Sequence, residues 1–212
     1  MVGYQTKTIK AGFSLNTATF VDVGQNNMNL QNFKLGKSAL GDGTETIQFL
    51  NEGGQNTETW IWLNANSGMK DGWYDFNTWE PITRSINCGT GYLMNVVEPV
   101  EMVLSGQVKS DKTTVTVPGG FSVYGNNTPN DIGIQSIKLS KDALGDGTET
   151  IQFLNEGGQN TETWIWLNAN SGMEDGWYDF NTWEPVTYTA KAGEAFLMNV
   201  TSDVEMTIPS AL

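Results

Sequence analysis

The 212 residues carry 24 acids against 11 bases, no histidine and one cysteine. The net charge of −13 argues against a nucleic-acid partner, whose phosphates need clustered Lys and Arg. The missing histidine removes the commonest general base and metal ligand and every Ser-His or Cys-His pair, and a lone Cys88 allows neither an intramolecular disulfide nor a Cys-based zinc site.

Hydrophobic residues make up 38% of the chain, yet no run approaches the roughly 18 apolar residues of a spanning helix, so no membrane insertion is expected. From the N-terminus, Ala11 to Leu15 reads as a strand. Leu30 to Leu40 is the only helix candidate, leaving at most one short helix in this half. Thr46 to Leu50 and Glu58 to Leu63 read as strands around a turn at 51–56, where Gly-Gly supplies the positive φ angles of a hairpin. Asn66-Ser67-Gly68 and Asp71-Gly72 mark further turns before Trp73 to Phe76. Pro81 breaks the chain, and Tyr92, Met94 and Val96 then share one face of a strand.

The same order then recurs. Residues 39–81 and 143–185 are identical except for Lys70 against Glu174, at an offset of 104. Looser matches flank them: Gly12-Phe13-Ser14 with Gly120-Phe121-Ser122, Leu30-Gln31 with Ile134-Gln135, and Leu93-Met94-Asn95-Val96 with Leu197-Met198-Asn199-Val200. The reading is all-β: two tandem small β-sandwich or barrel-like domains related by internal duplication, 1–106 and 107–212, each of seven or eight short strands. A short polar connection through Lys109-Ser110-Asp111 implies close packing of the two. All eight tryptophans and the whole negative excess lie in the two repeated blocks.

In Trp60-Ile61-Trp62-Leu63 both strand faces are apolar. One face enters the core, and the other needs cover from a second layer, a partner or a ligand. Trp73, Trp79, Trp177 and Trp183 sit beside turns, with Asp75 and Asp179 next to them. Rings flanked by carboxylates and amides suit sugar binding, in which a ring stacks on a pyranose and polar groups bond its hydroxyls. Use of the same rings as core stays open. Asp42 with Glu45, and Asp146 with Glu149, place acids in glycine-containing turns that could hold calcium, although the alternating acids of an EF-hand are missing. Solvated turn acids are the plainer reading. No other cofactor is indicated, and a glycosidase-type carboxylate pair, set by distance in space, is not readable from spacing along the chain. Lys70 against Glu174 is either drift on an exposed turn or a charge swap that favours head-to-tail pairing.

One resemblance adds to this. Ala11 to Leu15, the Asp-Gly-Thr at 42–44, the aromatic pair Trp60 and Trp62, Gly72-Trp73, the Lys191-Ala192-Gly193-Glu194-Ala195-Phe196-Leu197 segment and the closing strand Val100 to Leu104 follow one another in an order that resembles repeat modules in secreted and cell-surface proteins of bacteria of the planctomycete–verrucomicrobial group. The resemblance implies export and a surface location, and it assigns no activity. Met1-Val2-Gly3-Tyr4 shows neither region of a signal peptide, which leaves a cytoplasmic protein or a leader already removed; the resemblance implies the second. The function expected is a non-catalytic, self-associating structural subunit of a surface layer, filament or appendage. The alternative is a glycan-binding protein with two equivalent sites.

Overall fold

The structure, a computed structural model, describes residues 1–50, 55–155 and 157–210. It is all-β. Its longest helical elements among the described residues are three-residue 3-10 turns, and no helix is long and apolar enough to cross a membrane.

The first half runs β1 (Val2–Ile9), β2 (Gly12–Thr17), β3 (Asn27–Asn29), β4 (Lys34–Leu35) and β5 (Asp42–Leu50). It continues as β6 (Asn56–Leu63), β7 (Gly72–Asp75), β8 (Ser85–Asn87), β9 (Gly91–Val96) and β10 (Val100–Gln107). The second half runs β11 (Thr113–Val117), β12 (Gly120–Gly125), β13 (Ile132–Gly133), β14 (Lys138–Leu139) and β15 (Asp146–Leu154). It ends with β16 (Asn160–Leu167), β17 (Gly176–Asp179), β18 (Thr189–Ala190), β19 (Ala195–Val200) and β20 (Val204–Ile208). The sheet orders are β2-β9-β5-β6-β7, β1-β10-β4 and β3-β8, then β12-β19-β15-β16-β17, β11-β20-β14 and β13-β18.

Alternation builds the cores, because every second side chain of a strand shares a face. Ile9, Leu35 and Met102 of the three-stranded sheet meet Ile47, Trp62 and Tyr92 of the five-stranded sheet. Val117, Leu139 and Met206 meet Ile151, Trp166 and Phe196 in the same way. The opposite face of β6 is covered from within the chain: Tyr74 and Met69 pack on Ile61 and Leu63. Met69 follows the 3-10 turn Ala65–Ser67, which Asn64 caps by accepting from Asn66 N–H at 2.8 Å.

One expectation shifts. The helix candidate at Leu30 to Leu40 is a single 3-10 turn, Leu30–Asn32, followed by extended chain. The reason lies in the side chains. Gln31 donates to Trp73 O at 2.6 Å and Ile82 O at 3.0 Å, tying the turn to β7, and buried Phe33 and Leu35 then alternate as a strand does. β10 runs to Gln107, and the polar link between the halves begins at Lys109. Of the expected 51–56 turn, residues 51–54 lie outside the described residues.

The halves meet reciprocally. Thr17 N–H donates to Gly193 O at 3.1 Å, and Gly125 N–H, at the matching position, donates to Gly89 O at 3.2 Å. Asn16 bridges to Glu194 as Tyr124 bridges to Thr90. Leu15, Leu50 and Leu93 pack with their counterparts Val123, Leu154 and Leu197. Each contact is made twice with its roles exchanged, which is an isologous arrangement about a quasi-two-fold axis. Buried Asn127 adds a bond across the halves, donating to Cys88 Sγ at 2.6 Å; its bond to Thr113 Oγ1 at 2.9 Å has a counterpart in Thr19 Oγ1 to Gln5 Oε1 at 2.8 Å.

Candidate functional site

The structure separates the rings expected on one face. Trp73 and Trp177, expected at the surface, are fully buried, and that expectation is corrected. The register pairs Trp62 with Trp73 and Trp166 with Trp177 across neighbouring strands, so the same pleat sends both members inward. Their rings meet edge-on at 5.4 and 5.2 Å. The Trp73 indole N–H donates to Phe33 O and the Trp177 indole N–H to Ile137 O, each at 2.8 Å, whereas the Trp62 and Trp166 indole N–H groups are buried without a hydrogen-bond partner among the described residues.

Trp79 and Trp183 are the exposed pair, each 53% accessible, beside Phe76 and Phe180 at 55%. The loop that carries Trp79 is closed by Asp75 N–H to Glu80 O at 3.0 Å and Trp79 N–H to Asp75 O at 2.9 Å. Inside it, Asp75 Oδ1 accepts from the Asn77 and Thr78 N–H groups at 2.8 and 2.9 Å. The loop of Asp179 to Glu184 repeats this geometry, with Asp179 accepting from Asn181 and Thr182. The last loop residue must then turn left-handed, a position glycine fills at no steric cost. Here tryptophan fills it, with φ of 59° at Trp79 and 62° at Trp183, the only non-glycine positive φ values among the described residues.

These N–H bonds hold the Asp75 and Asp179 carboxyls below the usual carboxylate range, the Thr78 and Thr182 amides contributing most. A depressed native value makes this capping complete above about pH 4, the ordinary Asp range, and loses it as pH falls through the lowered value. Acidification below about pH 3 is therefore expected to speed amide hydrogen exchange at Asn77, Thr78, Asn181 and Thr182 ahead of the core strands. Unchanged protection there at low pH would disprove the capping role.

A groove of about 590 Å³ lies beside the first loop, lined by Asp75, Phe76, Asn77, Trp60, Glu58 and Arg84 among others. Arg84 pairs with Glu58 and stacks 4.8 Å over Phe49 and 5.2 Å over Trp60. At the matching position of the second half, Tyr188 stacks 5.2 Å from Phe153 and 5.0 Å from Trp164. The repeated blocks therefore present the same loop beside different flanking chemistry.

The four acids read as calcium candidates do not act together. Glu45 and Glu149 are buried and turned onto backbone amides: Glu45 accepts from Leu40 and Gly41 N–H, and Glu149 from Leu144 and Gly145 N–H. Asp42 and Asp146 are exposed and bond to Thr44 and Thr148, whose hydroxyls above all hold the carboxyls below their usual range. Among the described residues, no three acids or thiols converge on a metal-sized site. Lys70 and Glu174 are exposed on turns whose backbone carbonyls accept from Tyr74 and Tyr178, so the exchange leaves that bond in place. Asn126, which opens one glycosylation-like triplet, is buried and donates to three carbonyls.

Comparison with known protein families, with curated proteins and with solved structures returned no match to this chain.

Proposed function

We propose that this is a non-catalytic extracellular glycan-binding protein, built as two tandem small β-sandwich modules, 1–106 and 107–212, with one ring-stacking loop on each. The observation that carries this reading is the left-handed, exposed tryptophan at position 79 and again at 183. Left-handed backbone costs a residue with a Cβ about 1–2 kcal/mol, and half-exposed rings at loop tips return little of that through core burial. Strain retained at an exposed ring is a signature of function. An indole flanked by Asp75, Asn77 and Thr78 offers a pyranose a stacking face and hydroxyl partners. Two such loops on one chain raise avidity for a repeating polymer. The surface location belongs to the same proposal and rests on the resemblance in motif order. Calcium enters it only at Asp42 and Asp146, the exposed members of their pairs.

A second reading is the self-assembling surface subunit. Identical loops on both halves favour it, because they offer neighbouring molecules two equivalent contacts. The contact between the halves is isologous and closed, so growth of a polymer would use the loops instead. A polysaccharide pull-down and a glycan array, run beside light scattering with and without calcium, test both. Retention of monomeric protein on a glycan is the expected result. Concentration-dependent polymers with no glycan retained would replace this reading with assembly.

A further inference from the structure

A second cavity lies between the halves. It measures about 780 Å³, and its described lining includes Lys7, Lys10, Lys191 and Glu194 above the apolar side chains of Phe13 and Leu154. Three of the chain's 11 basic residues thus meet in one cleft of a protein with net charge −13.

The quasi-two-fold axis supplies an internal control. The mate of this cleft, lined by Leu50, Arg84, Thr90, Ser122 and Tyr124 among others, holds about 160 Å³. Tyr124 there replaces Asn16. Sheet pairing sets Lys7 opposite Met102 and Val115 opposite Met206, the matching residue, so the strand position of Lys7 carries valine in the other half. By the same alignment Lys10, Lys191 and Glu194 face Pro118, Asn87 and Thr90. None of the four charges has a charged counterpart at its matching position, and the base that borders the mate, Arg84, is paired with Glu58. The fold itself does not require them, because the other side is built without them.

Lys7 is the least comfortable of the four. Its ammonium is largely withdrawn from water and donates to Gly193 O at 2.8 Å. An ammonium has three donors, so two remain for an occupant of the cleft. Burial lowers its pKa to about 8, against the opposing charge of Glu194. The surrounding charges are already engaged. Glu194 accepts from Tyr188 O–H at 2.6 Å and from Lys191 N–H at 2.8 Å, and Lys191 pairs with Asp131 at 2.8 Å. Lys10 stands at the mouth on the strand end beside Lys7.

The geometry points to a binding site in this cleft for a small organic anion with an apolar body, its acidic group bonded to Lys7 and its body laid on Phe13 and Leu154. The volume falls within the range of ligand pockets. The site is separate from the Trp79 and Trp183 loops and does not depend on their function.

Anilinonaphthalene sulfonate, an aromatic anion, is the probe. Its binding to the native protein, followed by fluorescence and by amide shifts in NMR spectra, is expected to saturate at one site per chain and to move the amides of Lys7, Asn16, Gly157 and Lys191. Lys7→Met is expected to weaken it at least tenfold. Raising the pH from 7 to 9.5 is expected to weaken it in the native protein as Lys7 loses its proton, while Glu194 and Asp131 stay charged. Trp79→Gly with Trp183→Gly should leave it intact. Shifts confined to the tryptophan loops in the unmodified protein, or equal affinity in folded Lys7→Met, would overturn the proposal.

Discussion

Exchanging Trp79 and Trp183 together for glycine is expected to abolish glycan retention while leaving the melting temperature unchanged or raised. Both rings are half exposed and sit outside the core clusters. Each occupies a left-handed position that glycine adopts without steric penalty. Relief of that strain is worth about 1 kcal/mol per loop, offset in part by the greater unfolded-state freedom of glycine. The Asp75 and Asp179 bonds that shape the loops involve other residues and persist. Losing one stacking ring weakens one site, and losing both also removes the avidity between them, so a fall of at least about 100-fold in apparent affinity is expected. Single exchanges should each keep weak binding. Calorimetry beside the pull-down reads both quantities. A double variant that still binds would remove the rings from recognition, and one that unfolds would show that they are structural.

Trp177→Ala should do the reverse. The loss of a fully buried tryptophan is expected to destabilise the second half by about 3–5 kcal/mol. The indole fills core volume against Trp166 and satisfies Ile137 O, and removing it leaves both a cavity and an unpaired carbonyl. Urea unfolding followed by tryptophan fluorescence checks this, and a loss under 1 kcal/mol would contradict the packing described. The contrast between Trp177 and Trp183, six residues apart in one block, separates core rings from loop rings. An exchange at Trp73 or Trp177 that loses binding would report unfolding, not recognition.

Much of this was legible in the chain. The strands at Thr46 to Leu50, Glu58 to Leu63 and Tyr92 to Val96 follow from period-2 alternation, which local sterics impose. A second burying layer over Ile61 and Leu63 was implied by two apolar strand faces, and Tyr74 with Met69 provides it. The division of the tryptophans was not legible. Trp73 and Trp79 both lie beside turns, and indole is large and amphipathic enough for either environment. A signal did exist in Asp75-Phe76-Asn77-Thr78-Trp79: an aspartate that caps the amides two and three residues on is followed by a left-handed residue. The acids were ambiguous in the same way, since Asp42 and Glu45 differ in role only because Glu45 finds the Leu40 and Gly41 amides.

By itself, the sequence determined the all-β class, the recurrence of a 43-residue block, and the gathering of every tryptophan and the negative excess into it. These are local or compositional properties, carried by side-chain spacing and charge. Only the tertiary structure decided which indoles are core, which are loop, and that the halves meet about a quasi-two-fold axis. Strand register and the packing of Leu15 against Val123 join residues about a hundred positions apart. No local pattern encodes such pairings, and the cationic cleft exists only because they bring Lys7 to Gly193.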